Sequence, residues 1–137
     1  MKYSDRIKRL EDYLLETIMD EDLTEIRHIL ENEEFDPSFS NSYALYYACI
    51  NEKIEAMKII LMDHRIDPHG DPIRSCLYYM KVDMVKLLLK DKRLDHDKVV
   101  NDIIYKEDTN SNVLIDLFNK CKAELRDDLI DEILENS

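Results

Sequence analysis

The sequence predicts an all-α fold in which helical hairpins stack as a solenoid, and three observations carry that expectation. The first is self-similarity. Lys53-Ile-Glu-Ala-Met-Lys-Ile-Ile-Leu-Met-Asp63 returns 28 residues later as Lys81-Val-Asp-Met-Val-Lys-Leu-Leu-Leu-Lys-Asp91, and Arg65-Ile-Asp67 returns as Arg93-Leu-Asp95. Upstream, Leu23, Ile26, Leu30, Phe35, Asp36 and Pro37 stand 31 residues before Ile54, Met57, Leu61, Ile66, Asp67 and Pro68. A period near thirty marks a stacked-repeat protein. The second is composition: one Gly and three Pro in 137 residues leave helices few interruptions and β-hairpins few turn residues. The third is the helical spacing of the apolar residues.

Each element follows from the chain in order. Ser4 is placed to cap a first helix carrying Ile7, Leu10, Leu14 and Ile18, which Asp20-Glu-Asp22 interrupts. Leu23, Ile26, Ile29 and Leu30 mark a second helix ending near Asn32, its acidic start suited to the helix dipole. Phe35-Asp-Pro37 is a turn, because Pro lacks a donor and biases the residue before it away from helix. Polar Ser38 to Ser42 is expected as the longest loop. Helices follow at about 43–50 and 54–62, and Ile66-Asp-Pro68 repeats the turn. The next pair spans about 72–80 and 82–90, with Pro72 where a first-turn proline is welcome. Val99, Val100, Ile103 and Ile104 give one further helix. Asp108 to Asn112 is a polar break, and Val113, Leu114, Leu117 and Phe118 give another helix. The tail 123–135 sets Leu125, Leu129, Ile130, Ile133 and Leu134 on one face and is expected as a separate capping helix.

The hairpins resemble the ankyrin repeat, whose helix pair opens on Thr-Pro-Leu-His-x-Ala. Tyr43-Ala-Leu-Tyr-Tyr-Ala48 keeps the Leu and the final Ala, and Asp71-Pro-Ile-Arg-Ser-Cys76 keeps the Pro, an aliphatic and a small residue. Ile54-Glu-Ala-Met-Lys-Ile-Ile-Leu61 and Val82-Asp-Met-Val-Lys-Leu-Leu-Leu89 look like the family's second helix. The resemblance spans residues 12–95 well and 96–122 loosely, and the repeat endings are similar to those of divergent ankyrin proteins of giant DNA viruses. It implies a single domain of repeats at about 12–37, 43–68, 71–95 and a degenerate 97–122, followed by the capping helix. Glu52 stands where the family has its inter-helix Gly, and the shortened loops leave little room for the family's β-fingers.

Composition excludes several functions. With 45% hydrophobic and 36% charged residues, the chain is apolar enough to fold as one globular domain. The net charge is -12, with residues 1–40 at -7 and residues 121–137 at -4, so nucleic acid is not an expected partner. No apolar run is long enough to span a membrane, and the N-terminus Met1-Lys-Tyr-Ser-Asp-Arg6 is not a secretory signal. Cys49, Cys76 and Cys121, odd in number and widely spaced, fit a reducing cytoplasmic setting, that of the host if the chain is viral.

No catalytic, metal or cofactor site is expected. Cys49 lies one step past the small-residue position Ala48, Cys76 occupies that position one repeat on, and both read as buried packers; Cys121 is equally alone. His64, Asp67, His69 and Asp71, with Asp95, His96 and Asp97 one repeat later, could together hold a divalent ion. Their spacing matches no structural zinc site, so they read as loop polars, with Asp97 a helix cap. The one Gly rules out a phosphate-cradling loop. The ankyrin resemblance implies protein binding through loops and the ends of first helices. Carried onto this chain, it selects Phe39, Ser40, Ser42, His69 and Gly70 from the loops, and Ile50, Asn51, Tyr78 and Tyr79 from the helix ends. Tyr46, Tyr47, Tyr78 and Tyr79 are open to either role, packing between repeats or contacting a partner. The expected function is a monomeric, non-catalytic adaptor, inhibitor or scaffold. The alternative is a structural protein that self-assembles through the same surface.

Overall fold

The computed structural model describes residues 2–106 and 110–136, without the side chains of Tyr3, Ser4, Ser40 and Asn41. Among the described residues the protein is all-α, with eight helices: α1 (Tyr3–Met19), α2 (Leu23–Leu30), α3 (Phe39–Ile50), α4 (Ile54–Leu61), α5 (Asp71–Tyr78), α6 (Val82–Leu89), α7 (His96–Tyr105) and α8 (Ser111–Glu135). Consecutive helices pair as hairpins. Along the row α1 packs on α3, α3 on α5 and α5 on α7; α2 packs on α4, and α8 covers both α5 and α6. One continuous core results, with Leu14, Leu45, Met57, Leu88, Ile103 and Phe118 fully buried. All three thiols are buried in it as expected of packers. A hydrogen bond from the Cys49 thiol to the Cys76 sulfur, together with burial, pushes the Cys49 thiol well up from its ordinary value.

The first three hairpins close by one device. The chain leaves α1, α3 and α5 through Glu21, Glu52 and Met80, whose φ angles are 48°, 54° and 57°. The N–H of the following residue reaches back to Thr17, Ala48 and Cys76 carbonyls at 2.9, 2.9 and 2.7 Å. This is a left-handed helix ending of the kind usually built on Gly. Three side-chain-bearing residues occupy it here, at a local cost of roughly 1–2 kcal/mol each. Glu21 and Glu52 partly offset it: Lys53 approaches Glu21 at 4.0 Å and Lys81 approaches Glu52 at 3.3 Å, each linking one hairpin to the next.

The turns between hairpins repeat just as closely. Asn32, Asp63 and Asp91 each accept a hydrogen bond from the backbone N–H two residues on, and so do Asp36, Asp67 and Asp95. In the second and third turns the residue between is Arg. Arg65 grips Asp63 and donates to the carbonyls of Leu30, at 2.8 Å, and Phe35 in the preceding hairpin. Arg93 grips Asp91 and donates to the carbonyls of Leu61, Asp63 and Ile66. Leu30 and Leu61 end α2 and α4, whose last carbonyls have no partner within their own helix. Each guanidinium therefore caps the helix behind it and binds two hairpins together.

Four expectations are corrected. Residues 39–42 wind as a turn at the start of α3 instead of a loop, joined to the rest of the helix through Ser42 at a φ of 65°, so α3 has 12 residues against 8 in α5. The three-residue difference in repeat length is thus taken up as helix. Ser4 lies inside α1, which starts at Tyr3 without a side-chain cap. Asp95, not Asp97, caps α7, accepting from the Asp97 and Lys98 N–H groups. The tail is not a separate helix, because α8 runs unbroken for 25 residues through position 123. Good helix formers fill that stretch, and neither Gly nor Pro interrupts it. Of the polar break at 108–112, Asp108 and Thr109 lie outside the described residues.

Arg65→Ala removes several charge-assisted hydrogen bonds at once and is expected to lower stability by about 2 kcal/mol in urea unfolding. Arg65→Lys should recover little, since an ammonium cannot reproduce the fork. An Arg65→Ala protein with an unmoved midpoint would mean that water serves those carbonyls as well. A second expectation concerns acid. Hydrogen bonds from Arg65 and Arg93 hold the Asp63 and Asp91 carboxyls below their ordinary value of 3.8. A depressed folded-state value gives stability that is fully present above the ordinary value and lost as pH falls through the depressed one. Asp63→Asn/Asp91→Asn should therefore be less stable than wild type near neutrality, and should lose less stability between about pH 5 and pH 2. Parallel urea series across that range read the difference.

Candidate functional site

The nine residues selected from sequence fall at two ends of the first helices. Phe39, Ser40 and Ser42 begin α3, and His69 and Gly70 precede α5; Ile50 and Asn51 close α3, and Tyr78 and Tyr79 close α5. At about 1.5 Å per residue, the 12-residue α3 keeps its two ends roughly 17 Å apart. The structure thus brings together two groups, not one.

The first group is largely engaged in holding the fold. Phe39 is half-buried, its ring 5.8 Å from that of Phe35. Ser42 is buried at a φ of 65°, and its hydroxyl donates to the Asp67 carbonyl at 3.4 Å. Ser40 lies in the first turn of α3, and its side chain is among those not described. His69 is pinned on both sides of its ring. Its Nε2 accepts the Asp95 backbone N–H at 2.8 Å, which assigns the ring proton to Nδ1, 2.7 Å from the Asp67 carboxylate. Gly70, at a φ of 91°, supplies the left-handed step into α5. Of these, Ser42, His69 and Gly70 line a cleft of about 530 Å³, together with Arg74, Lys98, Asp102 and Tyr105. Arg74 is itself paired with Asp71. The acids and histidines weighed as metal ligands do not converge, and among the described residues no three acid, His or Cys side chains are grouped to hold an ion.

The second group is different. Ile50 is half-buried, and the Asn51 amide donates to the Tyr47 carbonyl at 2.8 Å as part of the helix ending. Tyr78 and Tyr79 are 53% and 58% exposed and meet edge to face, with ring centroids 5.0 Å apart. Tyr46 and Tyr47 are half-buried, unlike this pair. Met80 continues the exposed pair at 70% exposure, and Val113 of α8 stands beyond it at 65%. Together with Leu77 and Leu117 they edge an open groove of about 520 Å³ between the α5 end and the first turns of α8.

Sequence reasoning missed Met80, and a signal was present. Met80 stands at the position of Glu21 and Glu52, the acidic rungs paired with Lys53 and Lys81. The ladder stops at Met80. There an apolar side chain replaces a carboxylate while the backbone keeps the same left-handed conformation. Val113 and Leu117 were read only as helix markers, because their meeting with α5 depends on how the last hairpin folds back. Comparison of the chain with protein-family models, with curated proteins and with solved structures finds no match.

Met80→Gly removes the strain of a left-handed non-glycine residue and is expected to raise stability by on the order of 1 kcal/mol. A urea midpoint that falls would show that the methionine side chain contributes more to packing than its exposure indicates.

Proposed function

We propose that this chain is a non-catalytic protein-binding module, an ankyrin-like solenoid of helical hairpins whose partner is held at the exposed ends of the first helices. The observation that carries the reading is the run Tyr78-Tyr79-Met80, three large side chains more than half exposed at one hairpin tip. Buried hot spots of protein interfaces are enriched in tyrosine, and methionine fills irregular apolar surfaces. At the two equivalent left-handed positions the residue is a charged Glu, so the apolar side chain of Met80 departs from the other hairpins at this point. The ankyrin-like reading is supported by first helix packing on first helix and by the recurring Asp-anchored turns. The role is that of an adaptor, inhibitor or scaffold, directed at a host protein if the likeness to viral ankyrin proteins extends to origin.

The test is affinity capture from the source cell, or from its host, comparing wild type with Tyr78→Ser/Tyr79→Ser shown by circular dichroism to be folded. A protein retained by wild type and lost by the variant supports the reading. Titration of that protein should show a loss of about 2 kcal/mol or more, roughly 30-fold in affinity. Capture indifferent to the variant removes these tyrosines from the site. Capture of this chain alone would replace the reading with self-assembly.

A further inference from the structure

The C-terminal part of α8 leaves the core and keeps an apolar face. Up to Leu125 its inward side chains join the core, with Leu114, Phe118 and Cys121 buried. From Arg126 to Glu135 every residue is exposed, yet the helix continues for ten residues, about 15 Å. Leu129, Ile130, Ile133 and Leu134 are exposed by 43%, 48%, 67% and 65%. At 100° per residue these four fall within a stripe roughly 140° wide. The stripe runs back into a mostly apolar trough of about 500 Å³ bounded by Leu89 of α6, His96 of α7 and Leu125. His96 lines it, edge-on to Phe118 at 5.7 Å, and burial with the nearby Lys122 charge pushes its pKa down. Leu129, Ile130 and Ile133 thus stay exposed beside the end of α6 and the start of α7.

Charge decides what fits it. Between 127 and 135 the helix carries Asp127, Asp128, Asp131, Glu132 and Glu135 and no base. On the same angular scale Asp127 and Glu132 stand at the two borders of the stripe, with the other acids behind it. A second copy of the chain would bring five acids against five, and an anionic membrane surface would be repelled likewise. Lys122 and Arg126 stand only at the trough end. A helix lying antiparallel to α8 would set its own negative carbonyl end over those two bases and its basic flanks over the acids.

We propose that the trough and stripe of α8 dock a cationic amphipathic helix of another protein, with its apolar face on Leu129, Ile130 and Ile133. This is helix-in-groove recognition, with i, i+3 and i+4 apolar anchors seated between charged rims. The site is independent of Tyr78 and Tyr79, which lie at the end of α5.

The probe is a fluorescein-labelled 15-residue peptide with leucines on one helical face and lysines on the other. Its binding to the full chain is read by fluorescence anisotropy. A scrambled peptide of the same composition without an apolar face, and a version with glutamate for lysine, are the controls. The amphipathic peptide should bind at least tenfold more tightly than either. Leu129→Ser/Ile133→Ser, at exposed positions, should weaken it at least tenfold with an unchanged urea midpoint, and neutralising Asp127, Asp131, Glu132 and Glu135 to their amides should weaken it severalfold. Tyr78→Ser/Tyr79→Ser should leave it unchanged, which separates this site from the one above. Equal binding of the scrambled peptide, or indifference to Leu129→Ser/Ile133→Ser, overturns the proposal. So does a dimer in sedimentation that Ile133→Ser dissolves, or wild-type binding to vesicles of anionic lipid that the same change abolishes.

Discussion

The Arg fork between hairpins is the interaction on which the rest of the arrangement depends. A short helix such as α2 or α4 ends with carbonyls that its own turns cannot satisfy, and an adjacent chain segment must supply donors or leave them to water. Arg65 and Arg93 supply them from the next hairpin, while Asp63 and Asp91 hold each guanidinium in position. Because the Asp is two residues from the Arg, the fork is organised by its own turn before it reaches its neighbour. A planar five-donor group can serve a carboxylate and two or three carbonyls at once, which an ammonium cannot. The same geometry explains why the first turn has Glu34 in the Arg position: the structure places no helix end behind that turn to be capped.

Much of this was legible in sequence, because a repeat reports itself. The paired offsets of 28 and 31 residues located α2 to α6 to within a residue or two at most ends, and the Phe35-Asp-Pro and Ile66-Asp-Pro turns marked the boundaries between hairpins. What escaped is what repetition does not encode. Ser38 to Ser42 is polar and reads as loop by composition, but the chain there winds as the first turn of α3. The continuity of α8 was hidden because two apolar stripes on different faces, 114–125 and 129–134, resemble two helices when read as patterns. A single helix carries both because the second stripe faces away from the core that the first one joins.

The candidate site was legible only in part, for a related reason. Tyr78 and Tyr79 stand out because aromatic pairs are rare in this chain, yet Tyr46 and Tyr47 have the same spelling and are half-buried. The difference is context. Tyr46 and Tyr47 lie inside α3, whereas Tyr78 is the last residue of α5 and Tyr79 its C-terminal cap, where the helix ends beside the first turns of α8. Their neighbours there are Met80, an apolar residue at a repeated position that elsewhere holds Glu, and Val113, outside the repeated pattern.

The break in regularity at the last hairpin also bears on charge. Up to α6 each hairpin is tied to the next through Arg forks and Glu–Lys rungs, which consume acids and bases in roughly equal number. Beyond it the repeated ties stop. Lys86 of α6 instead reaches two acids of α8, Glu124 at 3.2 Å and Asp128 at 3.4 Å, and so raises its own pKa. One lysine against two carboxylates leaves the C-terminal region acidic, and Asp127 and Glu132 border the face on which Leu129, Ile130 and Ile133 are exposed. Opposite charge across so exposed a rim would contribute more to the rate and selectivity of association than to its strength. The affinity of any partner on α8 must then come chiefly from Leu129, Ile130 and Ile133 leaving water, which is why removing those side chains and neutralising the acids are separable perturbations. The first should act mainly on dissociation, and the second mainly on association and its dependence on salt.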